Sequence, residues 1–245
     1  MRDGLTAHLR RLLGDDGVID HPDSLAVYEC DGYTLERATP EIVALPGTPE
    51  QVAAVVRLLW EEGVAFVPRG AGTGLSGGTL PVAAPVMICT SRLNRIESID
   101  RTNRRIVAQA GVVNQWVSNA VRADGLLYAP DPSSQPACTI GGNIAENSGG
   151  PHTLKYGVTT NHVLGVELVL PDGEVVALGG SVTGEHGIGV EKIGQMPLLF
   201  APDDLLAMVR LRAVFDPEQR ANPHKIFPDA KVCIETRTPR RQAAL

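Results

Sequence analysis

Five glycines fall within nine positions in Gly70-Ala71-Gly72-Thr73-Gly74-Leu75-Ser76-Gly77-Gly78, directly after Pro68-Arg69. So dense a run weakens a core, because each glycine adds backbone entropy to be lost and buries no side chain. Its chemical use is close approach. Consecutive N–H groups without Cβ atoms in the way can converge on one anion, and a diphosphate is a common anion that needs such a nest. The stretch points to a phosphate-bearing cofactor, with a merely flexible surface loop as the competing reading.

Context separates three phosphate readings. A Walker loop needs Lys-Ser or Lys-Thr after its last glycine, whereas Gly78 is followed by Thr79-Leu80-Pro81. A dinucleotide fingerprint is formally present as Gly72-x-Gly74-x-x-Gly77, with Glu97 about 20 residues on, but that fingerprint must open a helix. Here Leu80-Pro81-Val82 leads to Pro85-Val86-Met87-Ile88-Cys89, which reads as a strand. The remaining reading is a loop between two strands that wraps the diphosphate with its own amides.

A second group repeats this chemistry. Residues Pro130 to Thr160 hold Pro130-Asp131-Pro132-Ser133-Ser134, then Thr139-Ile140-Gly141-Gly142-Asn143, then Asn147-Ser148-Gly149-Gly150. Exposed amides next to short hydrogen-bonding side chains make this stretch the expected second wall of one ligand site. It reads as one long irregular region, and such lengths inside a compact domain are functional or disordered.

The elements that must position these loops are legible around them. Leu5, Leu9, Leu12 and Leu13 recur at helical spacing, and Asp15 to Pro40 reads as a polar strap over the next domain. Glu41 to Leu45 predicts a strand. Thr48-Pro49-Glu50-Gln51 then supplies an N-cap, a proline at the first helical position and a capping box, followed by Val52, Val55, Val56 and Leu59 as a buried face. Val64 to Val67 is the strand that feeds the glycine loop. Arg92 to Ile99 and Arg105 to Ala110 predict paired strands, and Val113 to Arg122 a helix with Val113, Trp116, Val117 and Ala120 inward. Val163 to Leu170 and Glu174 to Leu178 predict two more strands, and Pro202 opens a helix through Phe215.

A chain of 245 residues with mean hydropathy near zero can bury one good core or two small ones. A net charge of −6 argues against nucleic acid as a partner. Cys30, Cys89, Cys138 and Cys233 form no C-x-x-C pair and suit reduced thiols, no run reaches the length of a membrane span, and cytoplasmic residence is the expectation.

Taken together, the first glycine loop, the Thr139 to Asn143 and Asn147 to Gly150 pair, and Gly184-Glu185-His186-Gly187-Ile188-Gly189 resemble the FAD-linked oxidases of the vanillyl-alcohol-oxidase type. The resemblance is to the branch holding D-lactate dehydrogenases and glycolate oxidase FAD-binding subunits, and it runs from about Val18 to Ile226. It implies an α+β chain with a PCMH-type FAD-binding fold of two α/β subdomains and a short helical C-terminal segment. The implied organisation is residues 1–36 as helix and strap, 37–180 as the FAD domain (subdomains about 37–92 and 93–180), and 181–245 as a remnant of the oxidase C-terminal domain.

The same resemblance assigns FAD to Arg69, Gly70, Ala71, Gly72, Thr73, Gly74, Leu75 and Ser76 at its diphosphate. Pro130, Asp131, Thr139, Ile140, Gly141, Gly142, Asn147, Ser148, Gly149, Tyr156, Gly157 and Asn222 would line the rest. Relatives with covalent flavin carry a histidine in the first loop where this chain has Thr73, so noncovalent FAD is expected. His186 would accept the hydroxyl proton of a D-2-hydroxy acid such as D-lactate or glycolate, and Glu185 would bind a divalent metal such as zinc or manganese.

One departure from the family pattern is internal. Pro171-Asp172-Gly173-Glu174-Val175-Val176 runs through Ala177-Leu178-Gly179-Gly180 straight into Ser181-Val182-Thr183-Gly184-Glu185, where the family has a further glycine loop and a substrate cap. The cap's metal-binding histidines and its carboxylate-binding arginine have no counterpart motif here. A partner chain supplying the cap or accepting electrons is therefore one expectation, and a cap-less flavin-binding or assembly module without independent catalysis is the alternative.

Overall fold

The computed structural model describes residues 2–178 and 200–215, which fall into two compact units: residues 2–163 with 168–176, and residues 164–167 with 177–178 and 200–215. The first unit is built on a four-stranded sheet of β1 (Val18–Ile19), β2 (Ile42–Ala44), β3 (Phe66–Arg69) and β4 (Val86–Cys89), in the order β1-β2-β4-β3. β1 is antiparallel to β2, while β2 and β3 both lie parallel to β4.

Alternation along the central strands explains the layers. Side chains two apart share a face, so Ile42 and Ala44 of β2 join Val86 and Ile88 of β4 against helices α1 (Arg2–Leu13) and α3 (Pro49–Glu61). Leu5, Leu9 and Leu13 of α1 and Val55, Val56 and Leu59 of α3 complete that core. Val43, Met87 and Cys89 face the other way and meet Leu25 from α2 (Pro22–Leu25), with Tyr28 packed beside them. Both faces of the sheet are thus covered, the second by Leu25 and Tyr28 from a segment that also supplies β1 and α2 and so is not the irregular stretch expected of residues 15–40.

Helix α3 starts as its sequence requires. The Thr48 hydroxyl accepts from the Gln51 amide at 3.2 Å and Pro49 takes the first helical position. The reciprocal bond differs from the expected box: the Gln51 side chain accepts from Gly47 at 2.7 Å, one residue earlier, and so pins the β2–α3 turn.

Further along, β5 (Ile96–Asp100) and β6 (Arg105–Ala108) form an antiparallel pair with a bulge between Ile96 and Ser98, and the expected strand from Arg92 begins only at Ile96. Helix α4 (Asn114–Val121) buries Asn114, Val117 and Val121, not the face through Val113, Trp116 and Ala120. Trp116 is 46% exposed, a correction to its expected core position. Residues 130–160 are not irregular throughout, since they contain α5 (Ile140–Ala145) and α6 (Thr153–Tyr156). The strands β7 (Val166–Val169) and β8 (Val175–Leu178) make a two-stranded sheet closed by the Pro171-Asp172-Gly173 turn, and Arg57 of α3 donates to the Gly173 carbonyl at 3.1 Å. In the second unit, α7 (Pro202–Phe215) buries Leu205.

Candidate functional site

β3 and β4 are parallel neighbours, so the chain must return along the sheet between them, a task a helix usually performs. Here residues 70–85 do it without a helix, and the crossover is the glycine loop itself. Among the described residues, no hydrogen bond is donated by the backbone amides from Ala71 to Ser76. These residues are exposed or half-exposed, so their amide donors are open to solvent and free to meet an anion. Gly72 has φ +68°, and a Cβ there would overlap the Arg69 guanidinium, so only glycine serves.

Arg69 is 9% exposed and its side chain lies beneath the loop. Its Nη1 donates to the Cys30 carbonyl at 3.0 Å and to Thr79 Oγ1 at 3.3 Å, and its guanidinium sits 5.7 Å from the centre of the Tyr28 ring. Thr79 Oγ1 in turn donates to Asp31 Oδ2 at 3.2 Å, and Asp31 Oδ1 accepts from the Tyr33 amide at 2.8 Å. Burial raises the Tyr28 phenol above its ordinary range, the Cys89 thiol adds to the rise, and the Arg69 cation opposes it.

The second glycine group is brought against the first. A Cβ on Gly70 would stand 2.5 Å from Thr139 Oγ1 and 3.8 Å from the Gly142 backbone, so the two motifs touch. Thr139 precedes α5 in extended conformation, bridged to Val113, while the Ile140 and Gly141 amides donate to Val112 and Ala110 carbonyls at 2.8 Å each. Gly78 faces the Glu146 carboxylate at the far end of α5. Near this junction Thr139 Oγ1 and Asn143 Nδ2 are buried without a partner among the described residues, as are Asn114 Oδ1 and Asp131 Oδ1. Each such orphan costs about 1–3 kcal/mol unless a bound group satisfies it.

Pro130 and Asp131 sit behind the Asn147-Ser148-Gly149-Gly150 stretch, where Gly150 packs directly on Asp131. Asn114, wholly buried, holds this loop by donating to the Pro130 carbonyl at 3.1 Å. His152 Nδ1 lies 2.5 Å from Asp131 Oδ2, and that hydrogen bond is the main reason the Asp131 carboxyl titrates below the ordinary carboxylate range. Asn147, at φ 49°, closes α5, and its Oδ1 accepts from the Thr160 amide at 3.1 Å. The Ser148 carbonyl accepts from both the amide and the hydroxyl of Thr159. Tyr156 is half-exposed with its carbonyl 2.8 Å from His162 Nε2, and Gly157 turns at φ +80° against Asn161. Glu185, His186 and Asn222 lie outside the described residues, and no cluster of three or more potential metal ligands occurs among the described ones.

Several members of this site escape sequence reasoning. Asn114 carried one usable signal, since it completes the i, i+3, i+7 stripe with Val117 and Val121 where an apolar residue is the norm. His152, Tyr28, Cys30, Asp31 and Thr79 carried none, because their role arises from contacts across long stretches of chain.

Comparison with known proteins gives this geometry a family. The FAD binding domain family model matches residues 40–179, and the FAD linked oxidases, C-terminal domain, matches residues 169–226. The chain is 44% identical over 170 residues to the glycolate oxidase subunit GlcD of Escherichia coli, which covers 69% of this chain and 34% of that protein. It is 38% identical over 175 residues to the D-lactate dehydrogenase of Anaerostipes hadrus, covering 71% and 35% respectively. Among solved structures, an alkyldihydroxyacetonephosphate synthase superposes with TM-score 0.66 at 22% identity, over 76% of this chain and 36% of that one. The chain thus spans about a third of the length of the curated relatives it matches. FAD is the cofactor of this domain, and the residues present fit it: a row of undonated amides suits a diphosphate, and the orphaned Thr139 hydroxyl and Asn143 amide stand at the junction beside it. By the match over residues 40–179 and the shared fold, the chain belongs to the FAD-binding-domain family of FAD-linked oxidoreductases.

Proposed function

We propose that this chain is the noncovalent FAD-binding part of a cytoplasmic oxidoreductase that converts a D-2-hydroxy acid, such as D-lactate or glycolate, to the 2-oxo acid. The observation that carries the reading is the contact between two glycine motifs, Gly70 against Thr139 and Gly142, with undonated amides along Ala71 to Ser76. The substrate class is supported by relatives named as a glycolate oxidase subunit, a D-lactate dehydrogenase and a D-2-hydroxyglutarate dehydrogenase.

In this proposal the amides of Gly70, Ala71, Gly72, Thr73, Gly74, Leu75 and Ser76 receive the diphosphate. Pro130, Asp131, Thr139, Ile140, Gly141, Gly142, Asn147, Ser148, Gly149, Tyr156, Gly157 and Asn222 enclose the remainder. When bound, FAD supplies an acceptor for the hydride on the substrate α-carbon. His186 takes the hydroxyl proton and Glu185 offers one metal ligand, assignments that rest on the Gly184-Glu185-His186-Gly187 motif. One carboxylate does not fix a metal, since stable protein sites use three or more ligands. A partner chain, in keeping with the word subunit in one relative's name, supplies the others and the substrate's carboxylate clamp or accepts the electrons.

A second reading is favoured by one feature: Val176 runs within eight residues into Gly184, with no intervening glycine loop or cap. It makes the chain a flavin-binding or assembly module without catalysis of its own. Anaerobic addition of D-lactate or glycolate to the FAD-loaded chain, with zinc or manganese present, separates the two. Bleaching of the flavin's visible band supports the dehydrogenase, and a flavin that stays oxidised with both acids leaves the binding module.

A further inference from the structure

Backbone at Gly32 lies flush on the loop, where a Cβ would stand 2.7 Å from the Gly74 carbonyl oxygen and 2.9 Å from that of Thr73. The chain contains no cis peptide among its described residues. In a trans peptide unit the N–H points opposite to the C=O. With the Thr73 and Gly74 carbonyls turned to the strap, the Gly74 and Leu75 amides are turned away from it, to the open side. The same segment is tied to the loop's two ends: Cys30 accepts from Arg69 before the glycines, and Asp31 accepts from Thr79 after them.

We infer that residues 30–33 of the strap are a template that aims the amides of the diphosphate loop, and that Asp31, Gly32, Thr79 and the Arg69 side chain are positioning residues for FAD. The Arg69 guanidinium is enclosed by the loop, has no carboxylate within ion-pair distance among the described residues, and uses one nitrogen for both of its hydrogen bonds. A buried charge so incompletely paired is costly. An anion on the opposite side of the loop offsets that cost, which couples cofactor binding to the latch. The inference rests on the FAD reading of this site, and it deepens it: the loop's shape is held from the strap and not by its own sequence alone.

The test compares Gly32→Ala, Thr79→Val, Thr79→Ser and Asp31→Asn with the wild-type chain. FAD affinity is read by quenching of flavin fluorescence, and the unfolding midpoint is read without cofactor. Gly32→Ala and Thr79→Val are expected to weaken FAD by about tenfold or more; Thr79→Val does so with little change in midpoint, whereas Gly32→Ala also lowers the midpoint, because its methyl meets the Thr73 and Gly74 carbonyl oxygens. Thr79→Ser, which keeps the hydroxyl, retains wild-type affinity. Asp31→Asn combined with Thr79→Val costs no more than the larger single effect, as expected for members of one unit. Wild-type affinity in Gly32→Ala and Thr79→Val overturns the inference, as does a loss in Thr79→Ser equal to that in Thr79→Val. In the FAD-free protein the Gly74 and Leu75 amide resonances must move in Gly32→Ala; unmoved resonances overturn the template irrespective of FAD, whereas a wild-type chain that takes up no FAD overturns the functional reading.

Discussion

At Gly74 an added Cβ meets nothing within 4 Å, whereas at Gly70 it would stand 2.5 Å from Thr139 Oγ1. The two positions therefore divide ligand effects from folding effects. Gly74→Ala is expected to change folding stability by no more than about 0.5 kcal/mol, yet to weaken FAD by about tenfold or more, because the methyl enters open space that the proposal assigns to the diphosphate. Gly70→Ala forces the two motifs apart and is expected to cost about 1–3 kcal/mol of stability, as overpacking does. Chemical denaturation and fluorescence titration of each variant check the pair, and equal FAD affinity in Gly74→Ala and wild type would remove the loop from the cofactor site. Asp131 supplies a pH test. Its carboxyl is depressed in the folded state, chiefly by the His152 hydrogen bond, so its contribution is present above the unfolded value of about 3.9 and is lost as pH falls through the lower folded value. His152→Ala should raise the Asp131 titration toward the ordinary range, read by carboxyl NMR, so that the Pro130–Asp131 loop loosens at higher pH in the variant.

At the level of elements, α3 links the sheet to the glycine strand, and its start depends on the Thr48 cap. Thr48→Ala is expected to cost about 1 kcal/mol, seen as a lower unfolding midpoint, with FAD affinity of the folded protein unchanged. This helix was legible because its cap, proline and valine stripe are local signals, and α7 was legible from Pro202 and the acidic Asp203-Asp204 that open it. The glycine loop was legible as a strand-to-strand nest because Pro81 and Pro85 exclude a helix after it. Other parts were not. Trp116 stands at a spacing that serves a core, but Asn114 fixes the buried face of α4 through Pro130, a partner no local pattern reveals. Helix α5 is short and glycine-bearing, and its start is held by bonds to the Val112 and Ala110 carbonyls formed only on folding, while α6 spans four residues, too few to show a period. The strap's latch lies 39 residues from Arg69 and 48 from Thr79, beyond the reach of any periodicity.

For the whole molecule, a cofactor that binds only the folded chain stabilises it by mass action, about 2.7 kcal/mol at a hundredfold excess over the dissociation constant. The unfolding midpoint should therefore rise with FAD concentration and stay flat with riboflavin, which lacks the diphosphate. No helix among the described residues is long and apolar enough to cross a membrane. The most direct single measurement is the visible absorption spectrum of the chain after purification with added FAD and removal of free cofactor, taken before and after acid precipitation. A yellow protein whose flavin passes into the supernatant is the predicted result, because the proposed site, with Thr73 in the first loop, binds FAD without a covalent bond. A colourless protein would contradict the account, and flavin retained in the precipitate would contradict its noncovalent attachment.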